Sequence, residues 1–267
     1  MRTVTSRDGT IIAYDQMGEG PALVLVGGAT TTRSDTRPLA EALAAHLTVF
    51  NYDRRGRGDS GDTPPYAVER EVEDIEALID VAGGMASLFG HSSGGVLALE
   101  TARWRPAKVT KLAVYEPPFI VDDSRSPLPH DYVAQLNAAV MAGRRGDAVE
   151  IFLTQAVGIP AEVVAQMRAA PFWAASEALA HTIAYDGTIM GDTASGTPTP
   201  LEKWKSVTIP TLVIDGGKSP AYMHHGAQAL AHILPHAQQV TLAGQDHGPA
   251  TEVLVPVLVK FFADDLH

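Results

Sequence analysis

The stretch Ser87–Leu97, SLFGHSSGGVL, decides how the rest of this chain is read. An apolar run leads into Gly90, His91, Ser92, Ser93 and Gly94, a G-x-S-x-G pentapeptide, and a helix-like apolar run follows. Strand, tight turn and helix in that order are what a nucleophilic serine requires. The serine must sit on a strained turn where only glycine-sized neighbours let two backbones pass so closely. Such a turn exposes Ser92 Oγ. It also aims the next backbone N–H, that of Ser93, and the start of a helix dipole at the place where an acyl oxyanion would form. An isolated Gly/Ser-rich turn could carry the same letters, so the flanking segments have to decide.

Outward from this turn the chain alternates. Parallel strands are expected near residues 22–27, 47–52, 85–90, 110–115, 209–215 and 238–243, and helices near 36–46, 68–82, 93–104, 220–234 and 250–263. Each crossover is long enough to hold a helix. The N-terminal MRTVTSRDGTIIAYDQMG reads as a strand pair around Asp8 and Gly9. The fold class is therefore α/β, a doubly wound, mostly parallel sheet. Such sheets bind ligands at the carboxyl ends of their strands. Just beyond strand ends lie the two glycines of ALVLVGG (Ala22–Gly28), the DRRGRGDS run (Asp53–Ser60), Ser92, Glu116 after KLAVY, and His247 after QVTLA.

From about Val4 to the C-terminus these segments, in this order, resemble the α/β-hydrolase superfamily with a serine nucleophile. The resemblance implies a role for each. Gly27-Gly28 stands where the family has His-Gly, which makes the Ala29 N–H the second oxyanion donor beside that of Ser93. DRRGRGDS is similar to the family's D-x-R-G-x-G-x-S loop, whose role is structural. The base lies on the loop after the last strand, which selects His247. Of the other histidines, His224, His225, His232 and His236 read as solvated or satisfied helix residues, His91 as a non-basic part of the turn, and His130 and His181 as candidates for contact with substrate.

The acid departs from the common pattern. In most relatives it follows the strand corresponding to Thr211–Asp215 in a G-x-x-D arrangement, and here that alignment gives Gly216, Gly217, Lys218 and Ser219. A serine cannot hold an imidazolium by charge, yet a triad needs a group that fixes the tautomer of the histidine. The preceding strand ends at Glu116, followed by Pro117 and Pro118. One subgroup of haloalkane dehalogenases and the zearalenone lactonases resemble this arrangement, with a glutamate in that place as the acid. Glu116 is therefore the expected acid and Asp215 the alternative. A Glu116 that only caps a loop stays open as a third reading.

Between Pro117 and Ser206 the alternation fails, and prolines and glycines punctuate short amphipathic helices such as DYVAQLNAAVMAGRR and DAVEIFLTQAV. We read residues 118–205 as a helical cap inserted after the sixth strand, with 1–117 and 206–267 forming the core. Phe119, Met141, Phe152, Met167, Phe172, Trp173 and Tyr185 divide between cap core and pocket wall, core being the expectation for any one of them. Gly191–Pro200 reads as a flexible hinge.

Composition agrees. A chain of 267 residues with 45% hydrophobic content can bury a large core. The absence of cysteine excludes disulfides and thiolate chemistry and suits a reducing cytoplasm. No apolar leader and no run near the roughly 20 apolar residues of a membrane span is visible. A net charge of −11 argues against a nucleic-acid surface, and Arg54, Arg55 and Arg57, like Arg144 and Arg145, read as structural or solvated. The expected function is a serine hydrolase that uses no cofactor or metal and cleaves an ester or lactone of a moderately apolar small molecule through an acyl-enzyme. The expected partner is that substrate, neither nucleic acid nor membrane, with homo-oligomers left open. Aspartate would be needed at Ser92 for dehalogenation or epoxide opening. The alternative is a non-hydrolytic protein on the same fold, a ligand receptor or a cyclising or C–C-cleaving catalyst.

Overall fold

A computed structural model describes residues 1–263; the last four residues of the expected core segment 206–267 lie outside the described residues. Strands β1 (Arg2–Thr5), β2 (Ile11–Met17), β3 (Ala22–Val26), β4 (Thr48–Tyr52), β5 (Ala86–His91), β6 (Val109–Tyr115), β7 (Thr211–Gly216) and β8 (Ala237–Leu242) form one sheet in the order β1-β2-β4-β3-β5-β6-β7-β8. The β1–β2 hairpin is the expected strand pair, and β2 also runs antiparallel to β4. Every pairing from β4 to β8 is parallel. The winding reverses at β3, because β4 adds on one side of it and β5 on the other. That reversal opens the crevice between the ends of β3 and β5.

Helices cover both faces because alternate strand residues point opposite ways. On one face Leu23 and Leu25 of β3 and Ala113 and Tyr115 of β6 pack with Leu43 of α1 (Arg33–Leu43) and with Leu254, Leu258 and Phe262 of α10 (Thr251–Ala263). On the other, Val24, Val26, Leu112 and Val114 meet α2 (Val68–Val81), α3 (Ser93–Trp104) and α9 (Ala221–Ile233).

Between β6 and β7 lie α4 (Tyr132–Met141), α5 (Arg145–Ile151), a π-helical turn at Phe152–Val157, α6 (Ala161–Met167), α7 (Phe172–Ala178), α8 (Ala180–Met190) and a 3-10 helix at Thr199–Ser206. The segment DAVEIFLTQAV is thus half α-helix and half π-helix. This insertion has its own core, built on Tyr132, Leu136, Val149, Trp173 and Ile183. The stretch expected as a hinge is stitched to the loop after β6: the Ile120 N–H donates to Thr193 O at 3.1 Å and the Gly196 N–H to Ile120 O at 2.8 Å.

The turn after β5 depends on close backbone contact. A Cβ on Gly94 would lie 2.3 Å from Val26 O, and one on Gly90 would lie 2.5 Å from Gly94 O. The first turn of α3 therefore rests directly on the end of β3, and a methyl group would force the two apart. Gly94→Ala should lower the unfolding free energy by about 1–3 kcal/mol, read as a fall in the urea midpoint at unchanged slope.

Candidate functional site

Three non-glycine residues have positive φ among the described residues, and all three stand at the carboxyl edge of the central strands: Thr30 (56°), Ser92 (56°) and Glu116 (46°). Such conformations are strained by about 1–3 kcal/mol each and persist only where the surroundings over-determine them. At Ser92 the ψ is −129°. Its N–H donates to Tyr115 O at 2.9 Å, and its own carbonyl accepts the Gly95 N–H at 2.9 Å as α3 begins. The serine is held from the neighbouring strand and from the helix at once.

Glu116 closes β6. Its N–H continues the ladder to Ile214 O at 2.9 Å, and its side chain is fully buried. Oε1 accepts the Gly216 N–H at 2.7 Å, and Oε2 lies 2.8 Å from His247 Nδ1. Burial alone would raise its pKa. The His247 ring, the Ser219 hydroxyl and the Gly216 amide outweigh burial and hold the carboxyl below its ordinary range. It is a buried anion whose oxygens are both bonded. Nδ1 of His247 therefore donates, which leaves Nε2 for other work, and the ring is 42% exposed. Ser219, expected from the sequence at the usual position of the acid, is buried near the Glu116 carboxylate.

The loop bearing His247 is fixed from below. Tyr115 Oη donates to Asp246 O, and His91 Nε2 donates to His247 O at 2.8 Å. The two imidazole rings stand 4.8 Å apart. Burial first, then the nearby His247 charge, pushes the His91 pKa down to about 4. His91 is thus neutral near pH 7 and serves as a backbone donor.

Asp215 is elsewhere engaged. It is buried at the end of β7, with Oδ2 2.5 Å from His224 Nδ1 and Oδ1 accepting from Thr241 Oγ1 at 3.0 Å and Gln239 Nε2 at 3.2 Å. His225 pairs with Asp122 at 2.6 Å and His181 approaches Asp62 at 3.9 Å. Neither His181 nor His130 lines the cavities that reach Ser92.

The arginines after β4 are buried and ion-paired, so of the structural or solvated roles expected for Arg54, Arg55 and Arg57 the structure shows the structural one. Arg55 pairs with Asp74 at 2.7 Å and Asp8 at 2.9 Å. Arg54 pairs with Glu71 at 2.7 Å. A residue without a motif completes the network: Asp186 of α8 accepts from Arg54 Nη1 at 2.7 Å, Arg57 Nη2 at 2.6 Å and Ser93 Oγ at 2.8 Å. Arg57 Nη1 donates to Gly28 O at 2.5 Å, and Thr31 Oγ1 donates to the same carbonyl at 2.8 Å. In a trans peptide C=O and N–H point opposite ways, so anchoring the Gly28 carbonyl turns the Ala29 N–H away from Arg57. The one sequence signal for Asp186 is a lone carboxylate in the apolar helix AHTIAYDGTIM, where a buried charge demands partners.

Two lobes of a cavity meet at Ser92. The larger, of about 350 Å³, is lined by His247, His91, Thr31, Val157, Tyr222 and Met223. The smaller, of about 60 Å³, is lined by Ser93, Arg125, Leu128, Tyr132, Asp186 and Met190. Ala29, Ser92, Pro118, Phe152 and Ala156 border both. Of the large side chains weighed as pocket wall, Phe152 alone borders either lobe. Phe119 packs on Trp204 in the main core, Trp173 sits in the core of the insertion, Tyr185 stacks on Tyr66, and Met141 and Phe172 are exposed.

Burial would raise the Asp186 pKa, but the Arg57 and Arg54 charges hold it below its ordinary value near 4. A carboxylate whose folded pKa is depressed adds stability in full above its unfolded pKa, and the contribution is lost as pH falls through the folded one. Asp186→Asn should therefore cost about 3–5 kcal/mol at pH 7, since it strands a buried cation. It should also flatten the loss of stability below about pH 4. Urea unfolding followed by tryptophan fluorescence from pH 3 to 7 reads both.

Comparison with known proteins follows the same lines. The sequence profile of the α/β hydrolase family matches residues 23–254. An α/β hydrolase from Sphaerobacter thermophilus DSM 20745 is 55% identical, with a TM-score of 0.90 over 98% of this chain and 100% of that one. The pimeloyl-[acyl-carrier protein] methyl ester esterase of Xanthomonas axonopodis pv. citri is 29% identical over 88% of this chain and 91% of its own. An enol-lactonase from Burkholderia xenovorans LB400 shares the fold at 22% identity and a TM-score of 0.70, over 98% of this chain and 100% of that one. Two shorter curated matches, in Azorhizobium caulinodans and Bacillus subtilis, cover 39% and 42% of those relatives' own length. With the profile spanning residues 23–254, most of its length, this chain belongs to the α/β hydrolase family.

Proposed function

We propose that the protein is a serine hydrolase that cleaves an ester or lactone of a moderately apolar small molecule, with Ser92 as nucleophile, His247 as base and Glu116 as acid. The observation that carries this reading is the buried Glu116 carboxylate on His247 Nδ1, with His247 and the strained Ser92 bordering the same cavity. A relative named as a methyl ester esterase over 88% of this chain supports the ester class.

In this mechanism Ser92 Oγ attacks the carbonyl carbon while His247 Nε2 takes the hydroxyl proton. The Ala29 and Ser93 N–H groups receive the oxyanion. The Ser93 N–H belongs to the first turn of α3, where no intrahelical acceptor competes for it. Collapse of the tetrahedral intermediate breaks the C–O bond, and the leaving alkoxide takes the proton from His247. Water then gives a proton to His247 and attacks the acyl-serine, which releases the acid and restores Ser92. Glu116 stays ionised throughout and stabilises the imidazolium. Residues 118–205 act as the cap that walls the cavity, and the cysteine-free chain works in the cytoplasm as a catalyst without cofactor or metal.

With p-nitrophenyl acetate and butyrate, Ser92→Ala should lower kcat by about six powers of ten while the far-ultraviolet circular dichroism stays unchanged. Near wild-type turnover in that variant would overturn the assignment. Glu116→Gln should lower kcat by about two to four powers of ten, because an amide cannot stabilise the imidazolium. Asp215→Asn should change kcat less than about tenfold. An Asp215 effect exceeding that of Glu116 would transfer the role of acid.

A further inference from the structure

Arg125 stands apart from the other arginines around the site. Arg54, Arg55 and Arg57 all find carboxylates, whereas none among the described residues pairs with Arg125. Nη2 of Arg125 donates to the carbonyls of Gln155 at 3.0 Å and Ala156 at 2.6 Å, near the end of the π-helical turn, and the guanidinium lies 4.6 Å from the centre of the Tyr222 ring. These contacts fix it as a wall of the smaller lobe, beside Ser92. The other charge on that wall, Asp186, is already neutralised by Arg54 and Arg57. The lobe is thus small, mostly apolar and bordered by one uncompensated cation.

The roles of the two lobes follow from the proton path. The leaving alcohol must take a proton from His247, which borders the larger lobe and not the smaller. The alcohol part therefore lies in the larger lobe and the acyl part in the smaller, where Arg125 is. We propose that Arg125 is the receptor for a carboxylate carried on the acyl part, so that the preferred substrates are half-esters of short dicarboxylic acids or lactones with a free carboxylate on the acyl chain. This rests on the serine-hydrolase reading and adds the substrate class to it. A fixed guanidinium in a partly desolvated lobe binds such a group by charge-assisted hydrogen bonds, which a neutral acyl chain cannot form.

The test uses the full chain with monoethyl glutarate, its neutral counterpart ethyl pentanoate, and acetoxyacetate, which carries its carboxylate on the alcohol side. Wild-type protein should prefer monoethyl glutarate. Arg125→Gln should cut the preference for monoethyl glutarate over ethyl pentanoate, taken as the ratio of their kcat/KM values, by about 10- to 100-fold, with Arg125→Lys in between. An equal loss on all three esters would reduce Arg125 to a staple of the π-helical turn and overturn the proposal, as would a wild-type preference for the neutral ester or for acetoxyacetate. Calorimetric titration with glutarate separates this proposal from the hydrolase reading. Binding that weakens by a similar factor in Arg125→Gln supports the receptor even if no ester is turned over, and in that case the hydrolase reading fails alone. Failure of glutarate to bind the wild-type protein, or equal binding by both, overturns the receptor.

Discussion

Ionisation of a carboxylate with no exposure to water is the constraint on which this site turns. Glu116 closes a central strand at a positive φ, and its side chain has no solvent to share its charge. Burial would drive it to the neutral acid, but the imidazole of His247, the Ser219 hydroxyl and the Gly216 amide reverse that. The ion is affordable only while both loops stay in place. The loop after β7 and the loop after β8 are therefore tied to one anion, and they reinforce each other through the Lys218 N–H to Gln245 O bond of 2.7 Å. The position of the imidazole follows from the need to satisfy the carboxylate.

A second buried anion ties the insertion to the sheet. Asp186 comes from α8, yet its partners are the arginines after β4 and the hydroxyl of Ser93. Through Arg57 it reaches the Gly28 carbonyl, and so the orientation of the Ala29 N–H. Burying an ion pair is no gain in stability by itself, because desolvation offsets the Coulomb attraction. What it provides here is geometry: the helix that walls the smaller lobe cannot shift without disturbing both loops beside Ser92. The same physical logic explains why the D-x-R-G-x-G-x-S loop is structural. Its arginines are fully desolvated struts, each with acceptors already in place.

The order of strands, the turn at Ser92 and the loop of His247 were legible in the sequence because each is set by local chemistry. Apolar runs of strand length, glycines where backbones touch and a polar loop at a strand end leave a local trace. The carboxylate partner of the His247 ring was legible as an absence, serine at 219, and as a carboxylate at 116. The burial of Arg54, Arg55 and Arg57 was not, since a cluster of arginines looks alike whether water or carboxylates surround it. Asp186 was invisible as a site residue for the same reason, being 129 positions from its partner Arg57.

By itself, then, the sequence determined the α/β alternation, the placing of Ser92, Glu116 and His247 at strand ends, and the helical insertion after the sixth strand. Period and glycine placement act over a few residues and need no partner. Only the tertiary structure decided that Glu116 faces His247 while Asp215 turns to His224, that Asp186 is shared by Arg54, Arg57 and Ser93, and that Phe152 alone of the large candidate side chains reaches the cavity. Those outcomes depend on which charges meet at distances of a few ångströms after packing. A buried charge selects its partner through the summed cost of leaving any alternative unpaired, a quantity that belongs to the assembled fold.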